Sequence, residues 1–308
     1  MKVGVIMNPV AGGGRLKRRW PEIGVALREM FGEVDLRETQ ASGDGVTLAM
    51  DLAAGGCKLV IAAGGDGTVG EVACGLITAG AEGHAAALGV LPCGTGTDFA
   101  RGLGLPSKDE AALRRIADSP GRRIDAGRVC YIDDDGRLAS RHFVNIASLG
   151  LSGTVARAVN ADERKGRVSA KALYFWRTVT AFVRYRFQHV RITIDDGEPM
   201  EARVALVTAA NGKFFGAGMM VAPDAKVDDG FFDVVMLRAA GKLGLIRDIR
   251  LLYGGRHRNH PAITIFRGRK LLVEPLDGTA LLVEADGEPL GQAPATFDIL
   301  PGALTLRD

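Results

Sequence analysis

The chain has 308 residues, of which 47% are hydrophobic and 24% are charged. This length favours two domains, and the composition excludes a disordered chain or a collagen-like repeat. The four cysteines form no C-x-x-C pair, so the sequence predicts neither a zinc site nor a disulfide framework and favours a reducing, cytoplasmic environment. No apolar stretch in the sequence is long enough to span a bilayer.

The net charge of +3 is unevenly distributed along the chain. Nine Lys or Arg stand against two acidic residues between Arg157 and Arg191, and nine stand against one between Arg238 and Lys270. This distribution predicts a basic face in the second half that meets phosphate, nucleic acid or an anionic membrane. A solvated surface rich in Arg would give the same pattern.

Short apolar runs alternate with helical patterns in the first 125 residues. The runs that predict β-strands are Lys2–Met7, Val34–Leu36, Leu59–Ala63 and Ala87–Leu91. The segments with helix-spaced apolar residues are Arg15–Met30, Gly45–Ala54 and Thr68–Ala79. This alternation predicts βαβ units and an α/β domain whose parallel sheet is covered on both faces.

Glycine-rich turns follow three of these predicted strands. They are Asn8–Gly14, Gly64–Thr68 and Gly94–Asp98. Ligands of parallel sheets bind at the carboxyl ends of the strands. We therefore expect the three turns to lie on one rim of the sheet and to form a binding site there.

After Asp125 the pattern becomes mostly β. The predicted strands are Arg203–Thr208, Phe232–Leu237, Ala262–Phe266, Lys270–Glu274, Ala280–Glu284 and Ala303–Leu306. Helix-spaced apolar residues predict two helices among them, one at Ala172–Val183 and one at Leu245–Tyr253.

The Gly64–Thr68 turn has the composition of a phosphate-binding loop. Between a strand and a helix, such a turn lets backbone N–H groups approach phosphate oxygens at the positive end of the helix. The turn is not a Walker loop, and its G-x-G-x-x-G match lacks the acidic residue that a dinucleotide site needs about 20 positions later. Asp66 would repel the phosphates unless a divalent cation lay between them.

Four carboxylates complete the predicted site. They are Asp66, Asp98, Asp286 and Glu288. With a glycine-rich phosphate loop they suit Mg²⁺-dependent phosphoryl transfer, which needs charge neutralisation and a carboxylate that orients or deprotonates the acceptor. For Asp66 and Asp98 an alternative stays open, because Asp is also a common N-cap of the helix that follows it.

At these residues the sequence resembles the diacylglycerol kinase catalytic domain family, most closely the soluble bacterial lipid kinases. The matching motifs are N-P-x-x-G at Asn8–Gly12, G-G-D-G-T at Gly64–Thr68, L-P-x-G-T-x-x-D-F-A at Leu91–Ala100 and D-G-E at Asp286–Glu288. The resemblance covers nearly the whole chain. It implies a Rossmann-like nucleotide domain, similar to those of NAD kinases and phosphofructokinases, over residues 1–125, and a β-sandwich lipid domain over residues 126–299. It also implies that the tail near residues 300–308 returns to the first domain.

The resemblance implies a role for each site residue. The residues implied in ATP binding are Asn8, Thr39, Gly64, Gly65, Asp66, Gly67, Thr68, Val69, Gly70 and Thr95. Asp66 and Asp98 would also hold the catalytic Mg²⁺ or its waters. Glu288 would accept the proton of the lipid hydroxyl, with Asp286 as the alternative base, and Asp125 would support the site from behind.

A second, structural Mg²⁺ is implied in the second domain. Its ligands would be the side chain of Asp229 and the backbone carbonyls of Lys226 and Phe231. Hard oxygen ligands of this kind suit Mg²⁺. A tight Asp-Gly turn at the start of the Phe232–Leu237 strand is the alternative explanation of the same residues.

Two residues depart from the family pattern. Gly70 and Thr97 stand where the family usually has Asn, so two amide side chains are missing from the nucleotide site. The predicted function is still an ATP- and Mg²⁺-dependent lipid kinase that converts diacylglycerol to phosphatidic acid. The alternatives are a kinase of NAD or of a sphingoid lipid, and a nucleotide- or lipid-binding protein of low catalytic activity.

Aromatic and basic residues are mixed in the predicted helix near residue 175. They are Tyr174, Phe175, Trp176, Arg177, Arg184, Tyr185 and Arg186. Such a mixture is typical of membrane-interface segments, and Lys or Arg near anionic headgroups contributes roughly 1 kcal/mol. With the family resemblance, it predicts a cytoplasmic protein that associates peripherally with an anionic membrane and binds no nucleic acid. Packing of the aromatic residues in the protein core is the alternative.

Overall fold

Two units make up the computed structural model, which describes residues 1–94, 96–162, 170–242 and 248–308. The first unit comprises residues 1–124 together with 302–308, and the second comprises residues 125–301. Because the last residues belong to the first unit, that unit is discontinuous in sequence.

The first unit is an α/β domain, as the sequence predicts. Its strands are β1 (Val3–Met7), β2 (Val34–Glu38), β3 (Leu59–Gly64) and β4 (Ala87–Pro92). Its helices are α1 (Ala11–Phe31), α2 (Asp44–Ala54), α3 (Asp66–Ala81), α4 (Asp98–Gly102) and α5 (Asp109–Asp118). The strands pair in parallel in the order β2-β1-β3-β4, and residues 305–307 add a parallel strand beside β4.

Burial explains the sequence pattern of this sheet. Every residue of β1 and β3 is buried, as expected for central strands of a parallel sheet covered on both faces. Helix α1 begins irregularly, because Gly12, Gly13 and Gly14 have positive φ angles of 62°, 69° and 78°. The regular part therefore starts near Arg15, where the sequence predicts it.

The second unit is rich in β-structure. Its strands are β5 (Arg122–Ile132, which begins in the first unit), β6 (Leu138–Phe143), β7 (Ile146–Gly150), β8 (Gln188–Ile194), β9 (Met200–Ala210), β10 (Phe214–Phe215), β11 (Met219–Met220), β12 (Phe232–Arg238), β13 (Ile263–Gly268), β14 (Lys270–Pro275), β15 (Leu282–Ala285) and β16 (Glu288–Arg307, which ends in the first unit). Its helices are α6 (Leu151–Asn160), α7 (Ala170–Arg184) and two 3-10 helices, Ile249–Gly254 and Arg256–Asn259.

Antiparallel pairing closes part of this unit on itself. β9 pairs with β7, β7 with β15, β15 with β16, β16 with β14, β14 with β8, and β8 again with β9. The side chains between these strands form one apolar core, which includes Phe143, Leu149, Phe232, Val283 and Phe297. The second unit is therefore a β-rich antiparallel domain, which agrees with the predicted fold class.

Two of the elements predicted after Asp125 differ from the structure. Of the predicted helix at Leu245–Tyr253, residues 243–247 lie outside the described part, and Ile249–Gly254 is a 3-10 helix. The predicted strand Ala303–Leu306 is only the last part of β16. The four cysteines, all of which are among the described residues, form no disulfide bond. Within the described ranges, no helix is long and apolar enough to cross a membrane.

Candidate active site

The Gly64–Thr68 loop connects β3 to α3 and lies at the positive end of that helix. Gly65 precedes the first turn of α3, and Gly65, Asp66 and Gly67 are partly accessible. Asn8 Nδ2 donates a hydrogen bond to Thr68 Oγ1 at 3.2 Å, which joins the first and second glycine-rich turns. Because the N–H groups of a first helical turn bind anions well, this end of α3 suits a phosphate.

The second and third glycine-rich turns contact each other through their backbones. The Asp66 N–H donates to the carbonyl oxygen of Gly96 at 3.2 Å. A Cβ atom at Gly94 would lie only 2.4 Å from Gly65 Cα. The structure therefore requires glycine at position 94, since any side chain would push the two backbones apart. Thr95, predicted to contact the nucleotide, lies outside the described residues.

Asp66 and Asp98 lie together at the start of α4. Asp66 accepts hydrogen bonds from the N–H groups of Asp98, at 2.9 Å, and Phe99, at 3.0 Å. Asp66 therefore caps α4 rather than α3, the helix that it begins. The buried carboxylate of Asp98 accepts a hydrogen bond from Arg101 at 2.8 Å. The alternative in which Asp66 is a helix cap is therefore correct, but the capped helix is α4 and not α3.

The donor chemistry of this pair fits Mg²⁺. Among the described residues, no cluster of three or more His, Cys, Asp and Glu could hold a metal ion. Mg²⁺ does not require one, because it is commonly bound by one or two carboxylates together with substrate phosphates and water. A carboxylate has about four lone-pair positions, so the bonds from α4 leave Asp66 with acceptor capacity. Asp66 and Asp98 are the residues that would hold such an ion in this unit.

The other predicted nucleotide residues are less accessible. Thr68, Val69 and Gly70 are buried in the first turns of α3, and Thr39 is buried with its N–H bonded to the carbonyl of Met7 at 3.0 Å. These residues shape the loop, and their contact with a nucleotide stays a prediction.

Sequence reasoning missed a group of arginines beside the third glycine-rich turn. Arg15, Arg19 and Arg101 line a cavity of about 550 Å³ together with Cys93 and Thr97. Guanidinium groups suit an anionic ligand. Two of these arginines stand next to motifs, and this position was the signal in the sequence. Arg15 directly follows the Gly12–Gly14 run, and Arg101 lies three residues after Asp98.

In the second unit, the D-G-E motif forms the tight turn between β15 and β16. Asp286 has a positive φ of 50°. Its carboxylate accepts three backbone hydrogen bonds, from Val144 at 3.0 Å, Asn145 at 3.0 Å and Ile146 at 3.1 Å. Glu288 is partly accessible, and Asn160 Nδ2 donates to its Oε2 at 3.4 Å. Asp286 thus anchors the turn.

Sequence reasoning also missed Glu284, which precedes the D-G-E turn. This side chain is 2% exposed and is hydrogen-bonded to the Ser148 hydroxyl, while its Oε2 accepts the Gly287 N–H at 2.9 Å. Burial raises the pKa of the Glu284 carboxyl to about 8, and these two hydrogen bonds offset only part of the effect. The signal was an acidic residue inside the otherwise apolar run from Leu281 to Ala285.

An apolar cavity of about 100 Å³ lies within the second unit. Helices α6 and α7 and strands β9 and β12 contribute its wall. The apolar residues that line it include Leu151, Val155, Val179, Phe182, Leu206 and Val235. Polar side chains are few, and Ser152, Thr178, His257 and His260 are among them. Such a lining suits a ligand with long hydrocarbon chains.

Protein contacts hold the loop in which the structural metal is predicted. The Asp229 carboxylate pairs with Arg267 at 2.5 Å and accepts the Phe231 N–H at 3.2 Å. Asp125 accepts the N–H of Gly230 at 2.7 Å, so it supports this same loop. Arg267 supplies positive charge where the ion was expected, and Lys226 is exposed. The metal at this loop stays a prediction, and no step of the chemistry depends on it.

Two family models match the two parts of the chain. The model of the diacylglycerol kinase catalytic domain matches residues 2–129. The model of the YegS C-terminal NAD kinase beta sandwich-like domain matches residues 145–307. The first match contains the glycine-rich turns and the second contains the D-G-E turn.

Solved structures and named relatives agree with these models. A structure of a candidate diacylglycerol kinase from Bacillus anthracis superposes with a TM-score of 0.78 at 25% identity, covering 99% of this chain and 94% of the other. An NAD kinase of Archaeoglobus fulgidus shares the fold, with a TM-score of 0.53 at 14% identity and coverage of 100% and 94%. The fold and the motifs thus define a kinase of the superfamily that contains diacylglycerol kinases and NAD kinases.

Sequence identity narrows this class further. A protein of Chromohalobacter salexigens named "Probable lipid kinase YegS-like" is 33% identical over 291 residues, which are 93% of this chain and 88% of the relative. The diacylglycerol kinase of Staphylococcus saprophyticus is 27% identical over 293 residues, 95% of this chain and 90% of the relative. The chain belongs to the diacylglycerol kinase family, in its group of YegS-like lipid kinases.

Proposed function

We propose that this lipid kinase transfers the γ-phosphoryl group of ATP to the hydroxyl of a membrane lipid, with diacylglycerol as the expected acceptor. The observation that carries the proposal is the apolar cavity, which lies in the same unit as the D-G-E turn. Its apolar lining suits acyl chains. A polar acceptor such as NAD would need many more hydrogen-bonding partners than this wall offers.

The first unit supports ATP as the phosphoryl donor. The start of α3 presents N–H groups to phosphate oxygens, and Asp66 and Asp98 provide hard oxygen ligands. When bound, Mg²⁺ would neutralise charge on the transferring phosphoryl group. The NAD kinase that shares the fold was solved in complex with ATP.

Glu288 is the residue that accepts the proton of the lipid hydroxyl in this proposal. Both carboxylate oxygens of Asp286 accept backbone N–H groups, so this side chain is held in the turn rather than presented to a substrate. Glu288 is partly accessible, and Asn160 Nδ2 donates to its Oε2 at 3.4 Å. The choice between the two candidate bases therefore favours Glu288.

Incubation with radiolabelled ATP and Mg²⁺ tests the proposed function. Dioleoylglycerol, ceramide, sphingosine and NAD are offered separately, with the lipids in detergent micelles. We expect the label in phosphatidic acid. Transfer to NAD alone would support the NAD kinase alternative. Binding of ATP without transfer to any acceptor would support the non-catalytic alternative that Gly70 and Thr97 leave open.

A bulky residue in the cavity should weaken the use of long-chain lipids. Leu206 lines the cavity and is half-buried, so Trp at this position would fill part of it. We expect Leu206→Trp to raise the KM for dioleoylglycerol at least about fivefold, because hydrophobic contacts of one methylene are worth roughly 1–3 kcal/mol. The KM for ATP should not change.

Leu272→Trp is the control for this variant, since Leu272 is a half-buried residue of β14 outside the cavity lining. Short-chain dihexanoylglycerol should be affected less than dioleoylglycerol. An unchanged KM for both lipids in Leu206→Trp would contradict the assignment of the cavity to the acyl chains.

The outer face of α7 suits contact with a membrane. Phe175 and Trp176 are 45% and 57% exposed, and Val183 is 57% exposed. The alternative in which the aromatic residues pack in the core is therefore wrong for Phe175 and Trp176. The opposite side of α7 lines the apolar cavity through Thr178 and Phe182. One helix thus joins an exposed apolar surface to the cavity wall.

Removing aromatic and basic groups from this surface should weaken vesicle binding. We expect a variant with Trp176→Ala, Arg184→Gln and Arg186→Gln to lose about half or more of its binding to phosphatidylglycerol vesicles, since each basic group contributes roughly 1 kcal/mol. Arg177 is left unchanged because it pairs with Asp162 at 2.6 Å. Vesicle sedimentation measures the effect, with the exposed Arg137→Gln as control.

Salt gives a second test of the same surface. The Debye length falls from about 8 Å at physiological salt to about 3 Å at 1 M, so salt should release the wild-type protein. Equal sedimentation of the triple variant and the wild type would show that this surface is only a solvated face.

A further inference from the structure

A chain of hydrogen-bonded side chains connects the wall of the apolar cavity to the D-G-E turn. Ser152, on α6, lines the cavity. Its hydroxyl lies 2.7 Å from that of Ser148, which is also hydrogen-bonded to Glu284 Oε1. Glu284 Oε2 accepts the N–H of Gly287, the middle residue of the turn, at 2.9 Å. All of these contacts lie within the second unit.

The chain is buried along its length. Ser148 is fully buried, and Ser152 and Glu284 are nearly so. Burying a carboxyl group is costly unless each of its polar atoms is paired. Glu284 meets this condition at both oxygens, which is unusual for an acidic residue in an otherwise apolar strand.

Two proton arrangements satisfy these contacts, because Ser148 has one hydroxyl proton but two neighbours, Ser152 Oγ and Glu284 Oε1. In the first, Ser152 donates to Ser148, and Ser148 donates to an ionised Glu284. In the second, Ser148 donates to Ser152, and a protonated Glu284 donates to Ser148. Burial and the charges of Asp286 and Glu288 raise the pKa of Glu284, which favours the second arrangement.

We propose that Glu284 is a positioning residue, which fixes the D-G-E turn through Gly287 and couples that turn to the cavity wall through Ser148 and Ser152. The inference rests on the proposed function, since it takes Glu288 as the proton acceptor. Asp286 holds one side of the turn through three backbone bonds, and Glu284 holds the other side. Without Glu284, the backbone between Asp286 and Glu288 loses its partner at Gly287.

Two substitutions distinguish positioning by a neutral acid from the action of a charge. Gln resembles a protonated Glu, because its amide can donate to Ser148 and its carbonyl can accept from Gly287. We expect Glu284→Gln to retain kcat within about threefold of the wild type. We expect Glu284→Leu to lower kcat at least about tenfold with an unchanged KM for ATP, because misplacement of a reacting group by about 1 Å can cost on the order of a hundredfold. Glu274→Gln, in β14, is the control.

Amide hydrogen exchange at Gly287 provides a readout that does not depend on activity. Exchange should be slow in the wild type and in Glu284→Gln, and faster in Glu284→Leu. Equal losses of kcat in the Gln and Leu variants, or unchanged exchange in the Leu variant, would overturn the inference. Absence of lipid phosphorylation by the wild type would instead overturn the proposed function, and the exchange comparison would still decide whether Glu284 fixes the turn.

Discussion

Replacing Glu288 with Gln should lower the kcat for lipid phosphorylation at least about a hundredfold, because a positioned general base contributes about 10²- to 10⁴-fold to a rate. Gln has nearly the same shape and retains an oxygen for the contact with Asn160, but it cannot take the proton of a hydroxyl. ATP binding and the melting temperature should therefore change little. Steady-state kinetics with dioleoylglycerol micelles at saturating ATP measure the effect.

Asp66→Asn, in the first unit, should also lower the kcat for lipid phosphorylation. Asn keeps an oxygen acceptor for one of the two N–H groups at the start of α4 and is itself a good N-cap residue. The substitution therefore removes the charge and one of the two hydrogen bonds, and we expect kcat to fall about a hundredfold because phosphoryl transfer depends on charge neutralisation. Asp51→Asn, at an exposed position of α2, is the control. Activity close to that of the wild type in both Glu288→Gln and Asp66→Asn would contradict the site.

Asp286→Ala should have the largest effect on stability. The substitution removes the acceptor of three backbone N–H groups, those of the buried residues Val144, Asn145 and Ile146. Hydrogen bonds to charged groups contribute about 1.5–3 kcal/mol each. Allowing for water at this half-buried position, we expect the free energy of unfolding to fall by about 3 kcal/mol or more. The melting temperature should fall by about 6–12 °C, since each kcal/mol shifts it by about 2–4 °C at this size.

Asp195→Ala is a matched control for this prediction. Asp195 also has a positive φ, of 52°, and its carboxylate accepts backbone hydrogen bonds from Arg269 at 2.7 Å and Lys270 at 2.9 Å. Asp195 is exposed, so water can replace its bonds and the loss should be smaller. If thermal denaturation showed equal losses in the two variants, the anchoring role of Asp286 would be wrong.

The first unit could be predicted closely because its central strands are buried on both faces. Such strands are short, uninterrupted apolar runs. The predicted strands Lys2–Met7 and Leu59–Ala63 each differ from the structure by one residue at one end. The α1 pattern was equally clear, since its apolar residues are spaced for a helix and its first turn consists of glycine.

Strand β16 could not be predicted as one element. Pro289, Gly291, Pro294 and Pro301 interrupt its apolar pattern, and each is normally unfavourable inside a strand. The fold tolerates them because successive parts of β16 pair with different neighbours, first β15 and then β14. This pairing is a property of the tertiary structure, which no local sequence pattern shows.

The candidate site also has one part that the sequence predicts and another part that only the fold shows. The positions of Asp66, Asp98 and Glu288 follow from motifs, because those residues stand in fixed spacing to glycine-rich turns. The contacts of Asp286 and Glu284 do not follow from motifs. Their partners, Ile146 and Ser148, lie 140 and 136 residues away in sequence. A motif shows that a carboxylate is present, whereas only the fold shows that one is anchored and another is buried.

The end of β16 has a consequence for how the chain is synthesised. The first 124 residues leave the ribosome early, but the strand that pairs with β4 is formed by residues 305–307. Until those residues emerge, the apolar strand β4 is an open sheet edge, and such edges pair readily with other chains. The unit that is translated first is therefore completed last. A nascent or truncated chain would need protection at this edge, although its catalytic motifs were already present.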